Sequence, residues 1–394
     1  MSDNGFSKYN GYDIQHIKLT TLTGVEYDIK NFAVETNIYT SIYTQTVSGS
    51  ILVNDAVNML ANLPIVGGEK IEVSWRTRGR LKWRRFKFRV EKVSEREDVG
   101  KTSSYRLQLI SEEQFNDTTS RQSRGYDGAY SDIISKAVGS ISSKNANVTP
   151  SYGIQKFASP MWSPLELIAW CTKRSVGSDN MPFVFYEDLN GFNFVNVSDL
   201  LNGSSNGRLF KQTTGIDNDP ERVLRNIEQI DWRSGRDTSS LAFNGVLNNK
   251  ELTFDFNEKT QADVVRSYDE YFNETPHLDK YQVAVSGAAD NIVCQLASPD
   301  MSHMGKYKRS VLDSTMHYTS LGIILPGDDE FVLGGVYDFN IPSPEPTPDG
   351  KAPTEKYTSG RWLTTDIRHT LRTDGYNMAV EIAKDSYSHK IEGN

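Results

Sequence analysis

Cysteine is scarce: Cys171 and Cys294 are the only two in 394 residues. A disulfide framework is thereby excluded, and reduced structural thiols point to assembly in a reducing cytoplasm. Long apolar runs are missing too. Nowhere do about 18 apolar residues follow one another, and the opening MSDNGFSKYNGYD has neither the basic region nor the apolar core of a secretory leader. Neither membrane insertion nor signal-directed secretion is expected. Basic excess is also absent, since 43 Lys and Arg against 51 Asp and Glu leave a formal charge of −8 and a pI near 5.4. That is the wrong sign for a general nucleic-acid binder. The histidines, His16, His277, His303, His317, His369 and His389, never fall at metal-ligand spacing with one another or with cysteine. P-loop, G-x-S-x-G, H-E-x-x-H and G-x-G-x-x-G patterns are missing. Asp179, Glu187 and Asp188 flank an apolar hairpin and could be pressed into acid/base service, but turn formation and solvation explain them more simply. No catalytic residue, metal or cofactor is expected, and a long chain without such a constellation points to an assembly component.

What the chain does have is aromatic residues, 19 Tyr, 17 Phe and 6 Trp, at a mean hydropathy of −0.53. This balance fits large half-buried sheet and interface area, and the length fits roughly two to four domains. One stretch occurs twice. Residues Val66 to Glu112 and Leu333 to Asp385 each hold a Gly-Gly turn (Gly67 and Gly68, Gly334 and Gly335) and an alternating strand. In each, a long loop, a strand with a Trp near its start (Trp83, Trp362), a short turn and a closing strand headed by Tyr105 or Tyr376 follow. From Gly67 to Tyr105 is 38 positions (105 − 67) and from Gly334 to Tyr376 is 42 (376 − 334), a difference the unequal loops absorb. Two similar antiparallel β-barrels are expected; the alternative is two ordinary meanders that share only period-two patterning. The fold class is α+β, predominantly β, with an α+β region between the barrels.

In chain order, Ile14 to Leu22, Val25 to Tyr39 and Val47 to Val53 alternate as strands, and Asp55 caps a short helix ended by Pro64. Helical spacing then covers Tyr130 to Ile141, and Ser163, Pro164 and Glu166 open a second helix. Its Trp170, with Leu165, Leu167 and Ile168, is assigned to core. Phe183 begins a hairpin that turns at Asp188 to Gly191. Gly203 to Pro220 reads as a linker, Val223 to Trp232 starts a strand, and Leu241 to Phe256 reads as a β pair about Asn248-Asn249. Helical patterns follow at Thr260 to Phe272 and at about Asp300 to Ser314, with short strands at Tyr281 to Val285 and Asn291 to Leu296. The Pro-rich stretch Ser343 to Gly360 reads as an extended arm, and residues 389–394 as a frayed end.

Arg76, Arg78, Arg80, Lys82, Arg84 and Arg85 crowd the hairpin of the first repeat with no acid before Glu91. Either this is a cationic protein interface, or it is a solvated tip whose charges discourage edge pairing. Stacking aromatics are not interleaved as single-strand binders require.

The run Trp162 to Asn202, with W-S-P-x-E, then VGSD, FVF, an acid and a Gly-centred turn, resembles the middle domain of the baseplate hub protein of T-even-type contractile-tailed phages. The opening block, with I-L-V-N-D and L-P-I-V-G-G-E-K-I, resembles that family's first tube-type barrel, and RWLTTDIRHTLRTDGYNMAVEIAKD its second. The barrel signatures are shared more loosely by tail-tube proteins and by the hub part of VgrG-type spikes. The resemblance implies a first barrel over 1–112 and a middle domain over 113–222, continuing at about 250–305. It implies a second barrel from 223–249 and 306–388. It further implies a homotrimeric ring whose near-sixfold face meets the hexameric tail tube or a tube initiator, and whose threefold face grips the trimeric central spike. The tape-measure protein passes through its channel, and DNA only in transit. Such a protein resides in the virion's tail baseplate. The basic hairpin and the Pro-rich loop match nothing in the family pattern. A VgrG-like type VI secretion hub is the alternative, although such a chain would normally continue into an OB-fold and needle where this sequence stops at Asn394. A spike-associated glycan-cleaving enzyme is the remote one.

Overall fold

The computed structural model describes residues 10–57, 59, 65–100, 102–211, 219–233, 238–284, 291–297, 302–316, 318–343 and 353–390. The chain opens with β1 (Tyr12–Thr20), β2 (Glu26–Asp28), β3 (Ala33–Ser41), β4 (Ser48–Asp55), β5 (Lys70–Thr77), β6 (Arg84–Val99) and β7 (Thr102–Ser111). A mixed region follows: α1 (Glu112–Thr118), β8 (Gln122–Gly128), α2 (Tyr130–Ile141), β9 (Ala146–Val148), β10 (Gln155–Trp162), α3 (Pro164–Arg174), β11 (Phe183–Glu187), β12 (Phe192–Asn196) and α4 (Val197–Leu201). Then come β13 (Ser205–Leu209), α5 (Pro220–Leu224), β14 (Gln229–Trp232), α6 (Thr238–Phe243), β15 (Asn248–Asp255), β16 (Thr260–Ser267), α7 (Tyr268–Glu274), β17 (Tyr281–Gln282), β18 (Ile292–Leu296) and α8 (Lys306–Thr315). The last strands are β19 (Thr319–Pro326), β20 (Val336–Phe339), β21 (Gly360–Arg372), β22 (Gly375–Lys384) and β23 (Ser386–Tyr387).

The molecule is mainly β, and both copies of the repeat lie in one 13-stranded sheet. Alternation decides its faces. In β6 the side chains of Phe86, Phe88 and Val90 are buried while Arg85 ahead of them and Lys87 between them are exposed.

The pairing order gives the duplication a physical form. In the first part the neighbours run β3-β4-β7-β6-β5-β1, and in the last part β14-β19-β22-β21-β20-β13. Each neighbouring pair is antiparallel except the terminal β13 on β20, which is parallel. The same six-strand path therefore occurs twice, with β15 to β18 and their helices inserted in the second.

Hydrogen bonds fix which residues correspond. Gly68 N–H donates to Val90 O and Val90 N–H to Glu69 O; Gly334 N–H donates to Thr364 O and Thr364 N–H to Gly335 O. Gly68 thus corresponds to Gly334, one step off a simple alignment of the two Gly-Gly pairs. Both need positive φ, +87° and +72°. A bulge follows at the same place in each middle strand, between Val90 and Lys92 and between Thr364 and Asp366. Tyr105 and Tyr376 are both fully buried. By register, however, Tyr105 corresponds to Met378. The tryptophans do not correspond in role, because Trp83 lies half-buried ahead of β6 and Trp362 is fully buried in β21.

The middle region has its own core of Tyr130, Ile134, Ile168, Phe183 and Phe194, with the last two rings stacked at 4.5 Å. Trp162 and Trp170 pack on its margin, ring centroids 5.4 Å apart. The capping box of α3 is formed as its sequence requires. Glu166 N–H donates to Ser163 Oγ, and Ser163 N–H to Glu166 Oε2.

Several local expectations are corrected. Thr260 to Ser267 is a strand and only Tyr268–Glu274 is helical. Val264 and Val265 fit either period, and the eight-residue pairing with β15 decides for β. The hairpin turn expected at Asn248-Asn249 lies instead at Phe256 to Lys259, where Asp255 accepts from the N–H groups of Asn257 and Glu258, and residues 238–243 are helical. Val25 to Tyr39 is split by a turn in which Phe32 and Ala33 N–H donate to Ile29 O. Val223 and Leu224 belong to a helix rather than to the following strand. Gly203 to Pro220 is no plain linker, since it carries β13 on β20. Most of the short helix before Pro64 and positions 344–352 of the Pro-rich loop lie outside the described residues.

A Cβ added at Gly334 would fall 2.7 Å from Tyr186 Oη, whereas one at Gly24 (φ +86°) meets nothing within 4 Å. Gly334→Ala is expected to cost about 2–3 kcal/mol and Gly24→Ala roughly 1 kcal/mol. Urea denaturation of the two variants checks the order.

Candidate assembly surface

The two six-strand units are joined inside the chain by antiparallel pairing of β3 with β21, from Asp366 opposite Ser41 to Arg372 opposite Glu35. Directly opposed residues interact. Arg372 lies 2.7 Å from Glu35, Thr370 donates to Asn37 at 3.0 Å, and the Arg368 guanidinium sits 5.8 Å from the Tyr39 ring centre. Burial alone would raise the Glu35 carboxyl. The hydrogen bonds from Asn37 and Arg372, with the charges of Arg372 and Arg368, hold it below the usual range. The opposite face of the joint is apolar and dry. There His369 is fully buried, its Nδ1 2.7 Å from the Tyr376 hydroxyl, and burial pushes its pKa down to about 4.

The joint's polar face lines a groove of about 490 Å3. Asp366 lies on its lining, and most of its other charges are paired: Arg233 with Glu381 at 3.0 Å and Asp231 at 3.3 Å, Arg368 with Glu35 at 3.5 Å, and, further along the sheet, Arg106 with Glu95 at 2.7 Å. Such a surface sets charges of both signs among Ile323, Ile324 and Val380, presenting no strong single-sign field to a passing polyanion.

The basic hairpin is resolved residue by residue. Arg84, 6% exposed, pairs with fully buried Asp329 at 2.9 Å and donates to Asn190 Oδ1 at 2.8 Å. Arg80 reaches Glu330 at 2.9 Å, Glu221 at 3.0 Å and Asp328 at 3.4 Å. Burial lifts the Asp328 carboxyl above its ordinary value despite that guanidinium. Thr77 N–H donates to Asp329 Oδ1, and Asp329 N–H returns a bond to Thr77 Oγ1. The acidic corner after β19 thus docks the second unit on the first unit's hairpin. Arg76 and Arg78 lie 3.0 and 3.6 Å from Asp13, with Arg76 also 4.5 Å over the Trp83 ring. Lys82 donates to Asn190 Oδ1 and Arg85 pairs with Glu72 at 3.4 Å; both side chains are exposed. Asp328 and Asp329 were missed from sequence, where an Asp-Asp pair after a Pro-Gly turn reads as solvated loop.

The carboxylates considered for acid/base work serve structure. Asp179 accepts from Ser198 Oγ, Asn196 Nδ2 and Met181 N–H, and Asp188 accepts from Asn190 and Gly191 N–H in its turn. Glu187 is nearly inaccessible, accepts from Val47 N–H at 2.9 Å and shares the Lys144 ammonium with Glu113. One lysine between two acids leaves surplus negative charge, and burial first, then Glu113, pushes Glu187 up to about 7. Among the described residues no group of three or more His, Cys, Asp or Glu could hold a metal ion. Among them, too, no helix is long and apolar enough to cross a membrane.

No protein-family model matches the sequence, and no curated protein does. Solved structures do. A tail protein from Neisseria meningitidis superposes at TM-score 0.58 with 12% identity over 95% of this chain and 97% of that one. The fold is that of phage tail proteins. A 43 kDa prophage tail protein from Shewanella oneidensis gives 0.58 at 10% identity over 94% and 98%. A chain of a Francisella PdpA–VgrG complex gives 0.50 at 10% identity, covering 98% of this chain and 60% of that one.

Removing Asp329 strands a buried guanidinium. Asp329→Ala is expected to cost about 3–5 kcal/mol, against about 0.5 kcal/mol or less for exposed Arg85→Ala, read by chemical denaturation. Glu187 holds its proton to higher pH in the folded state than in the unfolded chain. Its contribution to stability is therefore present below pH 4.5 and lost as pH rises towards 7. The drop in unfolding free energy from pH 5 to pH 7.5 should shrink by about 1–3 kcal/mol in Glu187→Gln; equal drops in both proteins would contradict this.

Proposed function

We propose that this chain is a structural, non-enzymatic hub of a contractile injection machine, in the first place the tail baseplate of a phage virion assembled in the host cytoplasm. Three copies form a ring. Each contributes two tube-type barrels, so that a near-sixfold face receives the hexameric tail tube or its initiator while the threefold face holds the trimeric central spike. The channel passes the tape-measure protein and then DNA.

One observation carries this reading: the same six-strand path occurs twice in one chain. A trimer can offer six equivalent sites only if each subunit carries the site twice. The groove's charges of mixed sign, most of them paired, fit a wall past which a polyanion must slide without sticking. In this reading residues 1–112 form the first barrel and 113–222, with about 250–305, the middle domain. Residues 223–249 and 306–388 form the second, to which β13 at Ser205–Leu209 is added by its pairing with β20. Because Arg80 and Arg84 are engaged within the chain and Arg76 and Arg78 hold Asp13, the interface role of the basic hairpin falls to the exposed Lys82 and Arg85.

The VgrG-like hub remains the second reading, favoured by the likeness to the Francisella chain over 98% of this one. Both readings share the ring. The engagement of Asp179, Glu187 and Asp188 in turns and packing weighs against the glycan-cleaving alternative.

Light scattering on the purified protein, alone and with its spike protein, tests the ring. A trimer is expected in at least one of the two samples, and a monomer in both would contradict the proposal.

A further inference from the structure

The joint that is closed inside the chain is left open at two other strand edges. Past its bulge, β21 turns its second half to β3. Its counterpart β6 gives its first half to β5, but beyond Val90 no strand pairs that side among the described residues. Likewise β3 lies between β4 and β21, whereas its counterpart β14 pairs β19 on one side and, among the described residues, nothing on the other. Arg233 N–H donates to Ser320 O. By the alternation of an antiparallel ladder, Gln229, Asp231 and Arg233 therefore turn their backbone groups to β19, and Ile230 and Trp232 turn theirs outward.

Burial tells the same story position by position. At the closed joint Ile38, Thr36 and Ile367 are 1%, 2% and 3% exposed. Their counterparts by register are, in the same order, Trp232, Ile230 and Val93. Ile230 and Val93 are only half-buried, and Trp232 is 48% exposed. An indole on an unpaired sheet edge is a liability in a free subunit and an anchor in an assembled one.

We infer that β14 of one subunit pairs antiparallel with the second half of β6 of the next copy, repeating between chains the β3–β21 joint made within each. The inference rests on the ring reading and names its contact. The partner is a second copy because the two open edges are unlike and are the repeats of two strands that pair with each other. A contact between unlike edges is head-to-tail and closes into a ring when the rotation permits. Within the ring, intrachain and interchain joints alternate, and both of these open edges are covered. The register also transfers. Arg368 lies opposite Tyr39 within the chain, and their counterparts are Ser94 and Arg233, so Ser94 lies opposite Arg233 of the neighbour. Ile42 N–H donates to Thr365 O, which makes Arg368 and Tyr39 a non-hydrogen-bonded pair. Such pairs bring Cβ atoms to about 4.5–5.5 Å, within reach of a disulfide.

The test places cysteines at these two positions, Ser94→Cys with Arg233→Cys, in a Cys294→Ser background that removes the exposed native thiol. Mild oxidation should give a non-reducing gel ladder ending at a covalent trimer, and each single variant should stay at the monomer band. Ile230→Pro removes one outward N–H while sparing those that face β19, and should weaken the trimer at least tenfold by dilution light scattering. A trimer that neither cross-links nor weakens would overturn the edge contact and leave the ring standing. A chain monomeric with and without its spike would overturn both.

Discussion

Antiparallel pairing of β3 with β21 is the constraint on which the rest depends. It fuses two repeats into one sheet, and its register sorts every side chain near it. With Arg372 opposite Glu35 and Thr370 opposite Asn37, the polar residues share the open face while Ile38, Ile367 and His369 share the dry one. A slip of β21 by one residue would turn its side chains over, burying Asp366, Arg368 and Arg372 and exposing Ile367 and His369, a penalty of many kcal/mol.

The other contacts between the repeats hold this joint at a fixed angle. Asp328 and Asp329 reach from the end of β19 to Arg80 and Arg84 of the first unit, and Thr77 and Asp329 exchange hydrogen bonds. Glu187 ties the middle region to the backbone at Val47, at the head of β4. A buried ion pair adds little net stability over an apolar substitute, but a broken one is costly, so such contacts select one geometry over its neighbours. Rigid geometry is what a subunit needs if a joint made inside the chain is to be repeated between chains.

Much of this was legible because it is local. The alternation of Phe86, Phe88 and Val90 against Arg85 and Lys87 declares a strand, and Ser163 with Glu166 declares a helix start. The repeat itself was visible in its Gly-Gly turns, although only hydrogen bonds show that Gly68, not Gly67, answers to Gly334. What escaped depends on distant partners. Asp329 and Arg84 are separated by most of the chain, so the basic hairpin read as an isolated charge cluster. The β8 segment QSRGYDG is exposed along most of its length and carries no burial pattern, and it is a strand because β10 pairs with it. Thr260 to Phe272 fits a helical stripe as well as a strand, and the partner decided. Glu35, Asp231 and Glu381 gave no signal of their own, since a polar residue on an alternating strand reads simply as solvent-facing.

The central claim is that one surface, carried twice, lets a threefold assembly present a near-sixfold face. Cryo-electron microscopy of the assembled particle, viewed down its axis, tests it most directly. The account predicts a ring whose inner sheet superposes on itself after one-sixth of a turn while its outer domains repeat only after one-third. An inner wall with threefold order alone, or a particle in which this chain forms no ring, would contradict it.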